Sequence, residues 1–105
     1  MTVLKDSFRA WIDNQPPGPK KLIVKGQIEV PTGGWTSSLN RVMPQGINPN
    51  VLILELKTVA PSGNVIQIVS TIDAWYEEAP PSTPYTEVQI RNDGGDFTIP
   101  VGRTD

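Results

Sequence analysis

The chain has no cysteine and no histidine in its 105 residues. Without thiols there is no disulfide framework and no thiolate chemistry, although the redox compartment stays open because exported proteins need not carry disulfides. Without imidazole, Ser-His-Asp and Cys-His triads, histidine-ligated zinc and a proton switch near neutrality are excluded. Long hydrophobic runs are missing too. Met1-Thr2-Val3-Leu4 meets Lys5 and Asp6 at once, so neither a signal peptide nor a membrane span is expected, and the reading is of a soluble chain with a cytoplasmic compartment favoured.

Other chemistry is thin for related reasons. The serines and threonines have no general base, since no Ser-x-x-Lys pattern accompanies them, and neither Gly33-Gly34 nor Gly94-Gly95 leads into the Lys-Ser/Thr pair of a phosphate loop. Glu77-Glu78 has no second, environmentally distinct acid opposite it and reads as a solvated start to a loop. Asn92, Asp93 and Asp96 supply too few oxygens for calcium and read as a turn. A protein that is not an enzyme, with no cofactor and no metal, is therefore expected.

Nine Lys or Arg stand against eleven Asp or Glu, but unevenly: residues 1–25 hold five basic side chains and two acidic ones, residues 73–105 two basic and seven acidic. Scattered charges on the solvent faces of strands account for this, and an acidic balance whose longest basic run is Lys20-Lys21 makes nucleic acid an unsuitable ligand.

The length fits one domain over residues 1–105, with an irregular segment at 1–19 and a frayed tail at 102–105. Residues 7–14 read either as a short helix or as an irregular strand with Phe8, Ala10 and Ile12 on one face, and Pro16-Pro17-Gly18-Pro19 ends the element. From Lys20 to Val30 the alternation is clear, with Leu22, Val24, Gly26, Ile28 and Val30 inward; Gly26 in that row predicts a bulge, a bend, or a large side chain crossing over it from the facing sheet. Pro31-Thr32-Gly33-Gly34 is a loop, and Trp35 anchors the start of the next strand. Residues 43–50 form a long connection of the kind that crosses between sheets.

Residues 51–72 are the most apolar and β-branched stretch and predict a hairpin, turning at Pro61 and Gly63, with Val59 opposite Val65, Leu56 opposite Ile68 and Leu52 opposite Ile72. Tyr85 to Arg91 alternates with Val88 and Ile90 inward, Asn92-Asp93-Gly94-Gly95 predicts a second hairpin, and Pro100 places the last strand at an edge or a bulge. Six or seven strands with no helical period imply an all-β protein. An antiparallel β-sandwich of immunoglobulin-like architecture is expected, with a small open β-barrel as the alternative.

Two features carry binding readings. Trp35 and Trp75 with Tyr76, together with Trp11, could form an aromatic platform for a sugar or a proline-rich peptide, against the plainer role of filling the core. The run Pro31-Thr32-Gly33-Gly34-Trp35 resembles the Pro-Thr-Thr-Gly-aromatic loop of chagasin-like cysteine protease inhibitors, which implies a small immunoglobulin-like domain presenting Thr32 and Gly33 to a protease. The likeness spans five residues; the family's Arg-Pro-Trp loop is missing, and Asp93-Gly94-Gly95-Asp96 comes too late to be its Gly-rich loop. The sequence thus points to a module for protein–protein interaction or structural assembly, binding another protein or itself through an edge strand. Carbohydrate binding is second and protease inhibition third.

Overall fold

A computed structural model describes residues 2–14, 18–63 and 67–104. Among these residues there is no helix and there are seven strands: β1 (Thr2–Asp13), β2 (Lys21–Val30), β3 (Thr36–Arg41), β4 (Val51–Val59), β5 (Ser70–Glu78), β6 (Glu87–Arg91) and β7 (Phe97–Thr104). They form one sheet in the order β3-β4-β6-β7-β1-β2-β5 that curls until its two terminal strands approach each other. The small open barrel fits this arrangement. The chain does not resolve into the two separate sheets of an immunoglobulin-like sandwich, because β7 belongs to both halves: Phe97 to Pro100 pair with β6, and Val101 to Thr104 pair with β1.

Pro100 explains where that switch falls. The Val101 N–H donates to the Thr86 carbonyl at 2.9 Å, so in the alternating antiparallel pattern the neighbouring Pro100 nitrogen faces away from β6, toward β1. A proline there offers β1 no donor, and the β1–β7 ladder begins one residue later. The last strand is therefore interior rather than an edge, and its proline occupies the one place where a missing N–H leaves nothing unpaired.

The predicted hairpin over residues 51–72 does not form. β4 pairs with β3 and β6, placing Leu56 opposite Leu39 and Leu52 opposite Val88, whereas Ile72 on β5 lies opposite Ile28 of β2. Ile68 is 61% exposed and precedes the strand, and Val65, the expected partner of Val59, lies outside the described residues. Gly63 does take the positive φ expected of it, +83°. A turn reverses or redirects a chain without choosing its partner, and here residues 60–69 carry it from one half of the barrel to the other. Conversely, residues 42–50, expected to cross, join the antiparallel neighbours β3 and β4. In that connection the Gln45 amide replaces a strand partner: its Nε2 donates to the Val42 and Ile53 carbonyls at 2.6 and 2.9 Å, and its Oε1 accepts from the Ile53 N–H at 2.8 Å.

The core follows the alternation. Phe8, Ala10 and Ile12 of β1, Leu22, Val24 and Ile28 of β2, Leu52, Leu54 and Leu56 of β4, and Val88 and Ile90 of β6 are buried together, which settles residues 7–13 as strand. Burying such aliphatic and aromatic side chains contributes about 1.5–3 kcal/mol each. β1 bulges opposite Gly26, where its register against β2 shifts between Leu4 and Arg9. The Phe8 ring lies on Gly26 so closely that a Cβ there would overlap it, and the same ring meets Phe97 edge to face with centroids 5.2 Å apart. The expected large side chain over Gly26 is present, and it comes from the adjacent strand. The Asn92 turn is as expected: Asn92 Oδ1 accepts from Gly94 N at 2.8 Å, Nδ2 donates to the Gly95 carbonyl at 2.7 Å, and Gly95 takes φ +114°.

Candidate functional site

Of the four aromatic residues expected to form a platform, Trp11 and Trp75 share one face of the sheet, and Trp35 and Tyr76 do not join them. Trp35 packs against the core, and its indole N–H donates to Thr32 Oγ1 at 3.0 Å, while Thr32, itself buried, donates to the Gly33 carbonyl at 3.2 Å. Gly34 takes φ +86°, and a Cβ at that residue would sit 2.9 Å from Pro61 Cβ. The Pro31 to Trp35 loop is thus closed by its own hydrogen bonds and by packing on Pro61. Thr32 and Gly33 are parts of that closure.

Trp75 and Tyr76 are consecutive on β5 and point to opposite faces. Tyr76 is half-buried against the core, and its hydroxyl donates to Glu78 Oε1 at 2.8 Å. That carboxylate also accepts from the Ser82 N–H at 2.8 Å, the Tyr85 hydroxyl at 2.7 Å and Arg41 Nη1 at 2.7 Å, and Arg41 Nη1 reaches the Tyr85 oxygen at 3.0 Å. The cluster spans the seam between β3 and β5, where no backbone ladder joins the two strands among the described residues; Ser37 Oγ adds a bond to the Asp73 carbonyl at 2.7 Å. Burial opposes ionisation of Glu78, but the Ser82 N–H, the two tyrosine hydroxyls and the guanidinium outweigh it and hold the carboxyl below the usual glutamate range. Burial, reinforced by Glu78, pushes Tyr76 up to about 12. Every polar group in the cluster faces another, so its chemistry is that of a clasp. Sequence reasoning missed it because Glu78, Arg41 and Tyr85 come from three separate stretches.

Trp75 is 48% exposed and stands on the outer face of the β1–β2–β5 part of the sheet. Its companions there are fixed by register. Trp11 lies opposite Ile23, Ile23 opposite Glu77, Arg9 opposite Lys25, and Lys25 opposite Trp75. The flanking residues Ala10, Ile12, Leu22, Val24, Ala74 and Tyr76 belong to the core side, so all six of these side chains project outward. Ile23 is buried on that outer face, and Trp11 is partly buried beside it. With strands spaced about 4.8 Å apart and residues rising about 3.4 Å, the two indoles are based about 10 Å apart across the sheet and about 7 Å along it. Gly102 pairs with Trp11 on the other side. The result is an apolar diagonal, Trp11 to Trp75 over Ile23, with Glu77 at one corner and Arg9 and Lys25 at the other.

Among the described residues no three His, Cys, Asp or Glu side chains converge, no buried side-chain N or O atom lacks a hydrogen-bond partner, and no helix is long and apolar enough to cross a membrane. An open groove of about 730 Å³ lies where β1 and the first half of β7 splay apart, between Phe8, Arg9 and Phe97. No family model, no curated protein and no solved structure matches this chain.

Proposed function

We infer that the chain is a non-catalytic binding module, that it engages a protein, and that the outer face of β1, β2 and β5 is its contact surface. One observation carries this reading: two tryptophans and an isoleucine share the outer face of β1, β2 and β5, flanked by charges of both signs. Aromatic anchors at the centre with a charged rim are the usual anatomy of a protein interface, and indoles contribute large area at little conformational cost. The Arg41–Glu78 cluster supports the non-catalytic part, because its groups satisfy one another and hold the seam. The spacing of the two indoles across this face also favours a second reading, in which sugar rings stack on them.

One experiment separates the two. The immobilised protein is compared with Trp75→Ala and Trp11→Ala variants for capture of proteins from a cell extract, and for fluorescence quenching by a panel of glycans. Captured proteins that are lost with both variants, with no glycan response, support the protein-binding reading. Glycan quenching that disappears with Trp75→Ala, with capture unchanged, replaces it by the carbohydrate one.

A further inference from the structure

The charge pattern on this face is self-complementary, and we propose that its partner is a second copy of this chain, seated face to face with the two-fold axis running along the Trp11–Trp75 diagonal. The proposal rests on the binding-face reading above and goes further by naming the occupant. On this sheet Trp11 and Ile23 share one row with Glu77, and Arg9 and Lys25 share the next with Trp75. The diagonal between the indoles therefore leaves the acidic corner on one side and the basic corner on the other. A two-fold lying in the contact plane along that diagonal brings each indole against its own copy. It also carries Glu77 of the second copy to a point between Arg9 and Lys25 of the first, within about one strand spacing of either Cα.

Two other axes in this plane do worse. An axis along the strands sets Lys25 on Lys25, and an axis on the opposite diagonal sets Glu77 on Glu77 and Arg9 on Arg9, each a like-charge contact. With the favoured axis the strands of the two copies cross at about 70°, close to the orthogonal class of sheet packing. Arg9 is held for this role: its Nη1 donates to the Asp6 and Phe8 carbonyls at 2.7 and 2.8 Å, which fixes the guanidinium at the corner. Beyond these six residues the same face carries Asp13 and Lys21 past Trp11, Asp73 past Trp75 and Glu29 farther along β2. Six outward residues from each copy make a small contact, so the pair belongs to the weak, exchanging class, below about 1,200 Å² in total.

The test is the mass by sedimentation or light scattering across a wide concentration range, at low salt, for the full chain and four variants: Arg9→Glu, Glu77→Arg, the two combined, and Trp75→Ala. The expected result is a mass rising toward twice the monomer, at least a tenfold weakening in either single charge variant and in Trp75→Ala, and recovery in the combined variant. Circular dichroism on each variant confirms the fold, and Arg9, Glu77 and Trp75 are exposed enough to be replaced without disturbing it. A monomeric mass at every concentration overturns the proposal, as does a dimer whose strength none of the variants changes. If the chain is monomeric and Trp75-dependent capture of another protein persists, the second copy is ruled out as the partner while the binding face stands.

Discussion

Replacing Glu78 with Gln should loosen the barrel at its seam, and the size of the effect can be worked from the contacts. The Glu78 side chain is 13% exposed and accepts hydrogen bonds from Arg41, Tyr76, Tyr85 and the Ser82 N–H. Gln keeps one acceptor, turns the other position into a donor that faces donors, and removes the charge that strengthens all four bonds. A charge-assisted bond contributes about 1.5–3 kcal/mol, and the Arg41 component is discounted for its exposure, which leaves a loss of about 2–3 kcal/mol. In a chain of this size that lowers the thermal midpoint by about 10–20 °C. The dependence on pH gives an independent signature. The folded-state carboxyl is depressed, so its contribution is complete above the ordinary glutamate range and is lost as pH falls through the folded value. Tyr76 is raised to about 12, so its contribution is complete below about pH 10 and declines as pH rises toward 12. Glu78→Gln should flatten the acid arm of the stability profile, and Tyr76→Phe the alkaline arm, each followed by urea unfolding at a series of pH values. Unchanged midpoints and an unchanged acid arm in Glu78→Gln would refute the clasp.

Two further perturbations probe the interior. Gly26→Ala forces a methyl into the Phe8 ring and should cost about 1–3 kcal/mol; Phe8→Leu alone should also destabilise, yet the pair together should lose less than the sum, which denaturant unfolding of the four proteins measures. Gln45→Ala removes the side chain that pairs with both the N–H and the carbonyl of Ile53, so amide hydrogen exchange at Ile53 should speed up by one to two orders of magnitude, while exchange at Ile28 on β2, in the other half of the barrel, stays slow.

What the residues disclosed, and what they did not, divides along the range of the interactions. Alternation in 21–30 and 87–91 depends only on which face is wet, and it gave the inward rows of β2 and β6 correctly. Gly26 announced a close approach because a missing Cβ in a buried row has few other uses, although the partner ring came from β1. Pairing is different. The stretch from Val51 to Ile72 carries every local sign of a hairpin, yet its two strands join different neighbours, since Leu39, Val88 and Ile28 offer equally apolar partners from elsewhere in the chain. The site was half legible for the same reason. Trp75 could be named from its type, but its companions Ile23 and Trp11 enter only through the β2 registers, and Trp35 and Tyr76 were drawn inward by Thr32 and Glu78.

The account stands on Trp75 and Trp11 facing outward from one sheet while Trp35 packs against the core with its N–H bonded to Thr32. Single-tryptophan variants, each with the other two indoles replaced by Phe, measure this through fluorescence quenching by acrylamide and iodide in dilute, monomeric solution. The predicted order is strong quenching and a red-shifted emission for Trp75, intermediate quenching for Trp11, and the least for Trp35, whose N–H is bonded to Thr32. Strong quenching of Trp35 with Trp75 shielded would contradict the sheet order and remove the face on which the binding reading rests.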